Sequence, residues 1–139
     1  MPETDAVALR LAFVVGRLNR RLVGASGGLS HALLSALASV AKKGPIRPAD
    51  LAQLEMVSAP SITRLIAELE SRGLLARSAD PDDGRAFLIQ VTDAGMDAVL
   101  RARAARAEVM SELLAELSPA EVDAIAQALP ALEEIVGHM

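Results

Sequence analysis

A mainly helical (α+β) fold with a single β-hairpin is predicted by three features of this 139-residue sequence. Apolar residues make up 52% of it, yet its only aromatics are Phe13 and Phe87, so the core is aliphatic and suits packed helices. Capping residues and breakers divide most of the chain into helix-length segments. Between them the acidic stretch Asp80-Pro81-Asp82-Asp83-Gly84-Arg85 separates two short apolar runs, 74–76 and 87–89. That is turn chemistry, in which proline presets φ and glycine supplies the positive φ that closes a hairpin.

The elements follow in order. Residues 5–23 form a helix with Leu11, Val15, Leu18 and Leu22 on one stripe, and Leu9, Phe13 and Val14 reach past it. A helix apolar on most sides is buried on most sides, which at the start of a small protein points to a partner subunit. The breaker cluster 24–28 follows, and Ser30 caps a second helix running to about Ala41, with Leu33, Leu34, Leu37 and Val40 inward. Lys42-Lys43-Gly44-Pro45 ends it with cations, then Gly and Pro. Ile46 is a single strand residue, and Pro48 starts a short helix over 49–55. Ser58 is the N-cap of the next helix, with Pro60 in its first turn, Ile62, Leu65, Ile66 and Leu69 inward, and Gly73 as its stop.

The hairpin has arms 74–78 and 85–91 around a tip at 79–84; Phe87, Ile89 and Val91 alternate inward. Thr92 caps a long helix over 93–116. Ser118-Pro119-Ala120-Glu121 is a capping box opening a last helix, 119–136, which Pro130 should kink or break. Two short helices joined by a tight turn and followed by a hairpin make a helix-turn-helix with a wing.

Composition narrows the function. Without cysteine, disulfides, thiolate metal sites and thiol redox sensing are excluded, and two histidines offer few metal ligands, so no metal or cofactor is expected. There is no Gly-rich phosphate loop followed by lysine and no His/carboxylate cluster at catalytic spacing, so no enzymatic reaction is expected. No apolar run is long enough for a membrane span, and Glu3 and Asp5 replace the basic region of a signal peptide; a cytoplasmic location is expected. The net charge of −4 is unevenly spread. Residues 1–41 carry four Arg against two acids, residues 42–92 seven Lys/Arg against seven acids, and residues 93–139 three Arg against nine acids. Acid concentrated in the C-terminal third weakens non-specific affinity for nucleic acid and shifts the burden to local geometry.

That geometry is readable residue by residue. In a helix-turn-helix the second helix presents its N-terminus to the major groove. Ser58, Ser61 and Thr63 are short hydroxyls able to approach phosphates or base edges. Ala59 and Pro60 are small enough to let the backbone close in, and Arg64 can reach a guanine edge or a phosphate. Arg85 on the wing suits a narrow minor groove, with Asp83 placed to pair with its guanidinium. Arg47 and Arg77, with Lys42 and Lys43, are candidate phosphate contacts. Each has a plainer role: the hydroxyls as caps, the lysines as a helix-end charge pair, Arg101, Arg103 and Arg106 as solvated or paired with nearby acids.

Asp83-Gly84-Arg85, five residues, then Val91-Thr92 resembles the wing signature of the MarR family of bacterial winged-helix regulators. Residues 57–66 resemble that family's recognition helix and 69–74 its exit. The resemblance covers nearly the whole chain. It implies one MarR-type domain over 1–139: an N-terminal dimerisation helix and linker at 5–28, a DNA-binding lobe at 29–92, and C-terminal dimerisation helices at 93–139. It further implies a homodimer on a palindromic double-stranded DNA operator, repression as the usual mode, and release by a small-molecule effector. Phe13, Arg17 and His31 are the effector-pocket candidates at the family's usual location. One residue departs from the pattern: Met56 stands where many members have glycine in the turn, and methionine tolerates a left-handed conformation poorly. The alternative reading, a winged-helix protein–protein module that has lost DNA reading, draws on that departure and on the acidic net charge.

Overall fold

The computed structural model describes residues 2–137. The order is α1 (Pro2–Val23), α2 (His31–Lys43), α3 (Pro48–Glu55), α4 (Ala59–Ser71), β1 (Leu75–Asp80), β2 (Asp83–Val91), α5 (Asp93–Leu114) and α6 (Pro119–Gly137). The chain forms two compact units that divide within α5, residues 1–106 and 107–139.

The first unit holds the core. Leu33, Leu34, Leu37 and Val40 of α2, Leu51 of α3, and Ile62, Ile66 and Leu69 of α4 are buried together with Leu75, Ile89 and Val99. All four residues expected to face inward from α2 do so, and on α4 only Leu65 is less than fully buried. The stripe expected on α1 is different, since no residue of α1 is buried and Leu9 and Phe13 are largely exposed. Ser30 accepts the Leu33 amide and caps α2 as expected.

Helix ends explain the lobe's shape. At the end of α3, Met56 adopts φ 56° and ψ 42°, the left-handed region. Its amide bonds the Gln53 carbonyl, and the Val57 amide bonds the Ala52 carbonyl, the paired closure of a Schellman motif. The turn therefore keeps the geometry that glycine would give, and methionine bears the steric cost. α4 ends the same way on Gly73, at φ 73°, with Leu74 bonding back to the Leu69 carbonyl.

The hairpin is antiparallel, and Ile46 adds a one-residue bridge to Ile89 on its inner edge. Its tip is shorter than expected. Both strands continue to Asp80 and Asp83, leaving Pro81 and Asp82 as the turn. Gly84 lies in β2 and has no positive φ, so glycine does not close this hairpin. Instead the Asp82 amide bonds the Asp80 carboxylate 2.9 Å away, an Asx turn made by side-chain chemistry. Pairing then jumps from Asp80↔Asp83 to Ala79↔Phe87, so Gly84, Arg85 and Ala86 have no partner in β1.

Thr92 caps α5 by accepting the Gly95 amide, and its hydroxyl donates to the Gly73 carbonyl, tying the exit of α4 to the start of α5. Gly95 is required by proximity, because a Cβ there would collide with the Leu74 carbonyl. In the second unit, Ser118 and Glu121 form the expected reciprocal capping box. α6 passes through Pro130 without the break that proline suggested. One missing N–H removes a single rung, and the turns on either side carry the helix on.

Two stability effects follow. Met56 is 85% exposed, so Met56→Gly forfeits no packing. It relieves about 1–2 kcal/mol of left-handed strain and gives part of that back as chain entropy, a net gain of about 0.5–1 kcal/mol in urea unfolding. Gly95→Ala is expected to cost about 1–3 kcal/mol by overpacking; an unchanged urea midpoint would contradict the close approach.

Candidate nucleic-acid interface

The exposed N-terminal half of α4 carries the candidate reading residues. Ser58 caps the helix, accepting the Ser61 amide at 3.3 Å, and its hydroxyl lies 3.0 Å from the Ser61 Oγ. Thr63 donates to the Ala59 carbonyl. Ala59, Pro60, Thr63 and Arg64 are all exposed. The hydroxyls thus have local partners, yet they keep acceptor capacity on an open face.

The arginines divide into two groups. Among the described residues, Arg64 and Arg85 have no side-chain hydrogen bond or ion pair, and both are exposed. Arg47 and Arg77, expected as phosphate contacts, are engaged within the protein. Arg77 forks onto Glu70 near the end of α4, with Nε 2.8 and 2.9 Å from the two carboxylate oxygens, and it stacks 4.2 Å from the Phe87 ring centre. Arg47 Nε lies 2.7 Å from Asp80 Oδ2. Both arginine side chains nonetheless stay about half exposed.

Asp83 does not hold the Arg85 guanidinium as its position suggested. Its carboxylate accepts the Arg85 backbone amide at 3.0 Å, fixing the chain and leaving the side chain free. Lys42 and Lys43 are the cations of the last turn of α2.

Asp80 and Glu70 went unrecognised in the sequence. Asp80 contacts Arg47 across 33 residues, and no local spacing signals such a pair. Its side chain is only 2% exposed. The Asp82 amide, and then the Arg47 guanidinium, hold its carboxyl below the usual carboxylate range.

The effector candidates do not converge. His31 lines a cleft of about 290 Å³ between α2 and α5, with Ser35, Ser39, Lys42, Arg103 and Arg106 among its walls. Phe13 and Arg17 lie together elsewhere, on a depression of α1, the guanidinium 6.0 Å from the ring centre. Among the described residues Arg103 and Arg106 make no ion pair; Arg103 is exposed to solvent, one of the two expected outcomes, whereas Arg106 Nε is buried without a partner. No group of three or more His, Asp or Glu among the described residues could hold a metal ion.

A capped helix-turn-helix, a wing bridged to it, and two free arginines on exposed backbone define a winged helix-turn-helix protein. The MarR family model matches residues 29–87. An uncharacterised HTH-type transcriptional regulator, Mb0904 of Mycobacterium bovis, is 40% identical over 131 residues, covering 92% of each chain. The RV1404 structure from Mycobacterium tuberculosis superposes with a TM-score of 0.78 at 25% identity, covering 96% of this chain and 91% of that one. A MepR mutant from S. aureus, bound to an oligodeoxyribonucleotide, shares the fold with a TM-score of 0.70 at 16% identity, over 94% of this chain and 97% of its own. The chain belongs to the MarR family of helix-turn-helix transcriptional regulators; it is a DNA-binding regulator and not an enzyme.

The depressed Asp80 carboxyl has a pH consequence with a definite sign. Such a group stabilises the fold above the ordinary carboxylate pKa and loses that contribution as pH falls through its folded value. The Arg47–Asp80 contact is therefore intact at neutral pH and lost only in strongly acid solution. An NMR titration of the Asp80 carboxyl should have its midpoint below the ordinary value of about 4; a midpoint at that value would refute the assignment.

Proposed function

We propose that this protein is a homodimeric, sequence-specific transcriptional repressor, located in the cytoplasm, that binds a palindromic operator and is released by a small-molecule effector. The observation that carries the DNA reading is the pair of unengaged guanidinium groups, Arg64 on α4 and Arg85 on the wing. In this reading the N-terminal residues of α4, 58–64, enter the major groove while Arg85 enters the adjacent minor groove. Arg47 and Arg77 add phosphate contacts through their outer N–H groups, and Asp83 shapes the backbone under Arg85.

Support for a dimer comes from helices that bury nothing in one chain. Neither α1 nor α6 has a buried residue, while Leu9, Phe13 and Val15 on α1 and Ile135 and Val136 on α6 are exposed. Residues 5–28 and 93–139 serve as the dimerisation segments around the lobe at 29–92. The effector site is best accommodated by the α2–α5 cleft that His31 lines, walled by Lys42, Arg103 and Arg106. A cytoplasmic location agrees with the absence, among the described residues, of any helix long and apolar enough to cross a membrane.

Arg85→Ala should weaken binding to a selected operator by about 1–3 kcal/mol in gel shifts at fixed salt; unchanged affinity would remove the wing from the interface. Log affinity should also fall steeply with log salt. A flat response, or no binding to any duplex, would favour the protein–protein module instead. Protection should span two half-sites centred on the order of 10 bp apart, or a multiple of that spacing.

A further inference from the structure

The wing must be aimed as well as present. Residues 81–85 are all exposed, so no packing fixes the direction of the tip. The last buried side chain before it is Asp80. One of its carboxylate oxygens accepts the Asp82 amide and shapes the turn; the other accepts Arg47 Nε at 2.7 Å. Arg47 is the N-cap residue of α3, yet its side chain makes no cap bond, so the guanidinium is committed to the wing. It follows Ile46, whose backbone bridges Ile89. Ile89 pairs with Arg77, three residues before Asp80 on β1, about 10 Å along the strand. The hairpin is thus held to the N-terminal end of α3 at two separated points, which resists rotation as one point cannot.

We propose that Asp80 is a wing-positioning residue: through its ion pair with Arg47 and its bond to the Asp82 amide, it sets where Arg85 meets DNA. The inference rests on the DNA-binding reading and adds a specificity role to an acidic residue that simple electrostatics would count as harmful. A carboxylate near DNA repels phosphate, so its removal should strengthen binding through charge alone. Positioning predicts the opposite sign.

The experiment measures operator affinity of Asp80→Ala, Arg47→Ala, the Asp80→Ala/Arg47→Ala pair, and Asp80→Ala/Arg85→Ala, at two salt concentrations, with thermal unfolding of each. Amide hydrogen exchange across 75–91 is followed in wild type and in both single variants. Asp80→Ala is expected to weaken binding roughly tenfold, about the effect of forfeiting one directed base or groove contact. The pair with Arg47→Ala should be no weaker than the worse single variant, and Arg85→Ala should add less than about twofold in the Asp80→Ala background, the non-additivity of coupled residues. Exchange should accelerate at 82–86 and stay unchanged at 75–77, a pattern that a general loss of stability would not give.

Tighter binding by Asp80→Ala, together with weaker binding by Arg47→Ala, would overturn the proposal and leave Arg47 as a phosphate contact only. Additive losses with Arg85→Ala would overturn it equally. Should Asp80→Ala fail to fold, Arg47→Ala, whose half-exposed side chain can be cut without opening the core, carries the test through amide exchange at 82–86, which loss of a phosphate contact alone would leave unchanged. Wild-type protein that binds no duplex would defeat the DNA reading itself, and the exchange pattern at 82–86 would then decide the positioning role.

Discussion

Ile89 is the residue on which the lobe depends. Its side chain is fully buried in the core that α2, α3 and α4 share, while its backbone exchanges two hydrogen bonds with Ile46, at 2.8 and 2.9 Å. One residue therefore anchors the wing in the aliphatic core and joins it to the segment that opens the helix-turn-helix. A two-stranded hairpin is marginal alone in water. Here it is an extension of the core, and its outer half inherits direction from what is fixed beneath it.

Around that anchor the charged residues sort by task. Arg47 ties β1 to the start of α3, and Arg77 ties it to Glu70 on α4, from the opposite face of the strand. Exposed ion pairs contribute little to stability, and these half-exposed contacts matter more for geometry than for free energy. Among the described residues Arg64 and Arg85 have no internal partner. The neutral charge balance of residues 42–92 thus conceals a division between acids that hold some arginines and arginines that remain available.

Much of this was legible in the residues. Caps and stops are local chemistry, so Ser30, Ser58, Gly73, Thr92 and the Ser118–Glu121 box could be read directly, as could the inward faces of α2 and α4. What stayed hidden was of two kinds. Long-range pairs such as Arg47–Asp80 leave no trace in spacing, so the acids held by the arginines named as candidate phosphate contacts could not be read from the residues. Some local rules also have more than one solution. The hairpin turned on an aspartate side chain in place of its glycine, and α6 crossed Pro130 unbroken. For α1, periodicity revealed an apolar helix, but its stripe is not buried within the chain.

The turn between α3 and α4 adds a last consequence. Because Met56 touches little and only its backbone is constrained, position 56 acts as a thermodynamic dial. Residues of graded tolerance for the left-handed region would raise or lower the melting temperature while leaving every buried contact unchanged. Robustness of the lobe can thus drift over generations separately from its packing and from the arginines it presents.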